Sequence, residues 1–106
     1  MLITLQDDGV LWIYPSTEDA VRDVEALDAE ETFRMVFDET GHRYAIQWIR
    51  ENQRGLFMVG NGEYALVRDG TVDVSALLGL IRDTALVEPE SLRPWLGDLA
   101  SRLTGR

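Results

Sequence analysis

The sequence predicts an α+β domain: an antiparallel meander sheet of about six strands, in the order ββ-α-ββββ-αα, with helices packed on the sheet. Three observations predict it. Six short β-prone runs are punctuated by turn residues, and helical spacing of apolar residues marks one early run and the last third. The connections among the middle strands are too short for a parallel crossover. The pattern alternates over all 106 residues without repeat or linker, so residues 1–106 read as one domain.

The first two runs, "LITLQ" and "VLWIY", flank Asp7-Asp8-Gly9 and read as a hairpin with Gly9 in the left-handed position. Pro15 ends the second strand because it cannot donate to a ladder. Ser16 caps a helix, with Asp19 three residues on as its capping-box partner. Ala20, Val21, Val24 and Leu27 form its buried stripe, so the helix is expected to end near Leu27. Asp28 with Glu31 can cap a further short turn.

Four strand-like runs follow. "TFRMVF" places Phe33, Met35 and Phe37 on one face by alternation, and "RYAIQWI" does so with Tyr44, Ile46 and Trp48. Asp38 to Gly41 is the turn between them. "GLFMV" and "EYALV" surround the turn signal Gly60-Asn61-Gly62. The opposite faces are also apolar, with Val36, Ala45, Ile49, Phe57, Val59, Ala65 and Val67, so both sheet faces need a cover. Either the acidic helix takes one face and the last helices the other, or all helices share a face and a second copy closes the sheet. The last third carries Val74, Leu77, Leu78, Ile81 and Ala85 at helical spacing behind Asp73 as cap. Glu88-Pro89 breaks that helix. Leu92, Trp95 or Leu96, Leu99 and Leu103 form the stripe of a last one, with Pro94 in its first turn and Ser91 as cap.

Charge is the most informative part of the composition. Residues 1–39 hold eleven acids against two Arg, a net of −9. Residues 40–106 hold eight acids against eight Arg, a net of zero. Nucleic-acid backbones and anionic membranes repel such a surface, so neither is expected as a partner. There is no Lys, and all ten basic residues are Arg, as GC-rich codon usage would give. No Cys is present, which excludes disulfides and thiolate metal sites. "MLITLQDDGV" lacks a basic n-region, no run approaches the length of a membrane span, and a cytoplasmic location is expected.

Catalytic motifs are not apparent. A nucleophilic triad needs a base, and the only His is His42, beside the Gly41 turn, with no strained nucleophile elbow in the chain. One His and no Cys do not make a zinc site. The acidic runs lack the calcium-loop pattern, and Gly60-Asn61-Gly62 lacks the Lys and helix of a phosphate loop. No enzyme activity, no metal and no cofactor are expected.

What stands out is "PSTEDAVRDVEALDAEETF", residues 15–33, with seven acids and one Arg. A solvated helix face would account for it. So would a surface that meets a basic protein, and Asp19 and Asp23 form a like-charge i,i+4 pair where a compensating Arg would have been easy. With the "STEDAVRDVEALDAEE" acidity and a single compact domain, the chain resembles bacterial immunity proteins of contact-dependent and other polymorphic toxin systems. The resemblance implies a cytoplasmic inhibitor that blocks a basic toxin, such as a nuclease. The partner-binding residues would then be Glu18, Asp19, Asp23, Glu25, Glu30 and Glu31. The alternative is a structural or regulatory homodimer without catalytic activity, motivated by the two-sided apolar sheet.

Overall fold

A computed structural model describes residues 1–54, 59–60 and 62–105. Its core is a six-stranded, mostly antiparallel sheet in an α+β fold. The elements are β1 (Leu2–Gln6), β2 (Leu11–Tyr14), α1 (Thr17–Asp23), α2 (Ala29–Thr32), β3 (Phe33–Asp38), β4 (His42–Arg50), β5 (Gln53–Arg54), β6 (Val59–Gly60), β7 (Glu63–Val72), α3 (Val74–Asp83), β8 (Val87–Glu88) and α4 (Arg93–Thr104). The sheet order is β7-β4-β3-β1-β2-β8, and β5 pairs with β6 in a separate ribbon.

The first hairpin forms as its turn residues dictate. Gly9 sits at φ 78°, and the Gly9 amide donates to the Gln6 carbonyl at 3.0 Å. Asp8 accepts from the Val10 amide and from Trp12 Nε1, each at 3.0 Å. Strand β2 ends at Tyr14, directly before Pro15.

The layers follow the first of the two expected arrangements. Ile3, Leu11, Ile13 and Phe37 pack with Leu77 and Leu80 of α3 and with Leu96, Leu99 and Leu103 of α4. On the opposite face Leu2, Tyr14, Val36, Tyr64 and Leu66 pack with Ala20, Val24, Ala26 and Ala29 from the acidic segment. Neighbouring residues of one strand therefore serve different layers, as the two-residue period requires.

Several expectations need correction. The sheet is not a plain meander. β8 joins the edge beside β2 in parallel, and β3 pairs with β1 rather than with β2. β7 pairs directly with β4, with Ile46 opposite Leu66 and Trp48 opposite Tyr64. The "GLFMV" run and Asn61 lie largely outside the described residues; its end, Val59, belongs to the β5–β6 ribbon. The return into β7 brings Gly62 so close to Arg50 that a Cβ there would overlap the Arg50 carbonyl oxygen. Phe33 does not share a face with Met35 and Phe37. The register slips between Leu5 and Gln6, so Phe33 turns to the α1–α2 layer while Met35 and Phe37 stay on the other. Val36 likewise lies inside the α1–α2 layer. α3 ends at Asp83, before Ala85. A 3-10 turn at Glu90–Leu92 precedes α4, so Leu92 rather than Ser91 holds its cap position.

One junction controls the shape of the sheet. β3 and β4 are bridged only at Phe37 and Arg43, so two half-sheets meet along a short seam. Asp38 clamps that seam. Its side chain is only 12% exposed. It accepts from the Thr40 amide (2.9 Å), the Thr40 hydroxyl (2.5 Å), the His42 amide (3.2 Å), the Tyr44 hydroxyl (3.0 Å) and the Arg68 guanidinium (3.0 Å). The partners come from the turn, β4 and β7. Burial opposes the charge on Asp38, but the Thr40, Tyr44 and His42 hydrogen bonds outweigh it and hold the carboxyl below its ordinary range.

Candidate interaction surface

The acidic segment is built on a helix start that the sequence specifies. Ser16 takes the cap position at φ −152°, and its oxygen accepts from the Asp19 amide at 3.2 Å. The Ser16 hydroxyl donates to Asp19 Oδ2 at 2.8 Å, a second bond between the two residues; the bond from the Ser16 amide that would complete a capping box is not among the described hydrogen bonds. α1 ends earlier than the stripe suggested. Val24 is already extended, with φ −108° and ψ 114°, and its carbonyl accepts from the Tyr64 hydroxyl at 2.6 Å. That bond ties the segment to β7 and lets Val24 and Ala26 pack on the sheet. The further short turn is α2; Asp28 precedes it without making a side-chain cap bond.

With Ala20, Val24, Ala26 and Ala29 turned inward, the carboxylates are left outside. Glu18, Asp23, Glu25, Glu30 and Glu31 are exposed, and Asp19 is half-buried. Three of the six have duties in the fold. Asp19 accepts from the Ser16 hydroxyl at the helix start and pairs with Arg22 at 3.3 Å. Asp23 accepts from the Tyr14 hydroxyl at 2.6 Å, and Glu30 from Trp48 Nε1 at 2.9 Å. Glu18, at the helix start, is held below its ordinary range by its own backbone amide and by the Thr17 and Ser16 hydroxyls. Burial, then the hydrogen bond to Asp23, raises the Tyr14 phenol, and burial followed by the Asp23 charge pushes Tyr64 up to about 12. Both phenols are therefore neutral donors at any ordinary pH.

The six residues form a belt rather than a point. Asp19 and Asp23 border a shallow groove of about 430 Å³ with Trp12 and Tyr14. Glu30 and Glu31 border one of about 260 Å³ with Trp48. Glu25 sits between them, over a depression of about 370 Å³ lined by Val21, Val24, Ile49 and Tyr64. Each station gains a carboxylate that linear reading missed: Glu88 beside Asp19 and Asp23, Glu63 beside Glu25, and Glu51 beside Glu30 and Glu31. All three come from the part of the chain whose charges sum to zero, so no local signal marks them. Glu63 is partly offset by Arg50 at 3.5 Å.

Among the described residues no group of three His, Asp or Glu could hold a metal ion, and no helix is long and apolar enough to cross a membrane. His42 lies within 2.7 Å of the Thr40 hydroxyl oxygen. The Thr40 hydroxyl also donates to Asp38, so the contact lies within the turn cluster around that carboxylate. Comparison with family models, with curated proteins and with solved structures finds no match.

Proposed function

We propose that the protein is a small acidic binding protein that neutralises a basic partner by docking its α1–α2 layer over it. A toxin of the kind blocked by bacterial immunity proteins, for instance a nuclease, is the partner this reading fits best. The observation that carries it is the division of labour within residues 17–32: Ala20, Val24, Ala26 and Ala29 are buried, and every carboxylate but the half-buried Asp19 is exposed. Glu18, Glu25 and Glu31 are exposed charges on that layer. Unbalanced charge of this kind raises encounter rates with a basic protein by one to three orders of magnitude at low salt. The apolar depression beside Glu25 supplies what charge does not. Ile49, 67% exposed, forms part of its rim. Apolar contacts there would set how long the complex lasts. The mechanism is steric and electrostatic, without a chemical step, in the cytoplasm of the producing cell. The test is association with the partner as a function of salt, for wild type and for a charge-altered layer. A rate that ignores both salt and the substitutions would overturn the reading.

A second reading has its own observation. β7 is an edge of the sheet, and Val67 and Val72 on it are exposed, as is Ile49 on β4. An exposed strand edge is a template for pairing with a second copy. Light scattering separates the readings: a salt-insensitive dimer supports the homodimer, and a monomer removes it.

A further inference from the structure

The seam between the half-sheets leaves a space of its own. Beyond the Phe37–Arg43 bridge, β3 and β4 splay, and a cavity of about 190 Å³ opens between them. Its inner wall is apolar: Phe33, Ile46 and Leu66 all pack in the α1–α2 layer. Arg34 and Arg43 also line it. Among the described residues neither guanidinium forms an ion pair; Arg43 lies over the Phe37 ring, 5.8 Å from its centroid. The chain has nineteen acids for ten arginines, so carboxylate partners are abundant. Two arginines without an ion pair, on one cavity with an apolar inner wall, are an arrangement that suits an anion with a short apolar tail.

We propose that this cavity binds a small organic acid, its hydrocarbon tail between β3 and β4 and its carboxylate on Arg34 and Arg43. The orientation follows from the walls. Arg43 lies over Phe37, which belongs to the α3–α4 core, whereas the apolar wall belongs to the opposite layer. The acid thus lies with its tail on that wall and its head toward Arg43. Glu30 lines the cavity too and repels a carboxylate from the α2 end. Size limits the ligand. At about 190 Å³ the cavity is smaller than a drug-sized site of roughly 300 Å³ or more, which favours a short-chain acid. Hexanoate is of that size. The proposal is tested separately from the docking reading, because its two arginines lie outside the acidic segment, although Glu30 borders both surfaces.

The test is an amide NMR titration of the whole chain with hexanoate, hexan-1-ol and hexylamine. Hexanoate should give saturable shifts confined to the amides of residues 33–36 and 43–46. Hexanol should bind at least about tenfold more weakly, and hexylamine more weakly still. Arg34→Gln with Arg43→Gln should weaken hexanoate at least about tenfold and leave hexanol unchanged, with the rest of the spectrum reporting an intact fold. Should the double variant not fold, Arg34→Gln alone, an exposed position, should still weaken hexanoate severalfold and spare hexanol. The proposal is overturned if hexanoate does not saturate, shifts amides elsewhere, binds no better than hexanol, or binds the folded variant as tightly.

Discussion

Replacing Asp38 by Asn keeps the size of the side chain and removes its charge. In the structure one carboxylate oxygen accepts from Thr40 and the His42 amide, and the other from Tyr44 and Arg68. The amide of Asn keeps one acceptor oxygen. Its NH₂ group would face either the turn amides or the Tyr44–Arg68 pair, and both are donors. The Tyr44 hydroxyl can rotate to accept; the guanidinium cannot. The loss is about one charge-assisted hydrogen bond, worth roughly 1.5–3 kcal/mol, reduced because Arg68 is largely in water. Asp38→Asn should therefore cost about 1–2 kcal/mol in urea denaturation followed by tryptophan fluorescence. The pH dependence has a definite sign. The folded carboxyl lies below its unfolded value of 3.8, so its stabilisation is fully present above that value. It is lost as pH falls through the lower folded value. The gap between wild type and variant should be constant from pH 7 down to about 5 and should close in the acid range below 3.8. A cost under about 0.5 kcal/mol, or a gap that persists unchanged at pH 2, would refute the clamp.

Two other outcomes check the layers. Tyr64→Phe removes the buried donor to the Val24 carbonyl and should cost about 1–2 kcal/mol, read by thermal or urea unfolding. Leu77→Ala, at a fully buried core position, should cost about 2–5 kcal/mol, while Ile49→Ala should stay within about 0.5 kcal/mol. Comparable costs at Leu77 and Ile49 would mean that the bare side of β4 is covered.

What the sequence revealed was local. Gly9, Ser16 and Asp73 each act within three residues of themselves, and each does what its residue type announces; Asp73 accepts from the Ala76 amide at 2.9 Å. The two apolar faces were legible because strand alternation splits them. What stayed hidden depends on distant partners. Asp38 reads as a turn residue, and nothing nearby marks Arg68, thirty positions on, as its ion-pair partner. Val87 and Glu88 are too short a run to announce a strand, and only the open edge of β2 makes them one. The slip between Leu5 and Gln6 turns Phe33 over because pairing with β1 overrides the alternation of its own strand. The acidic segment was legible as a charge run, but its belt form was not. Glu51, Glu63 and Glu88 reach it only through the fold.

The docking claim meets its most direct test in a paired capture from the source cell. The bait is wild type on one side and, on the other, Glu18→Gln with Glu25→Lys and Glu31→Lys, three exposed positions. Asp19 is left alone because it accepts from the Ser16 hydroxyl at the helix start. The captured protein is then purified and its association rate measured across salt concentrations. The account predicts a basic protein that wild type retains, whose association slows steeply with salt and falls by roughly tenfold or more with the variant. A wild-type bait that retains no basic protein, or a partner that binds both baits at the same salt-independent rate, would contradict it.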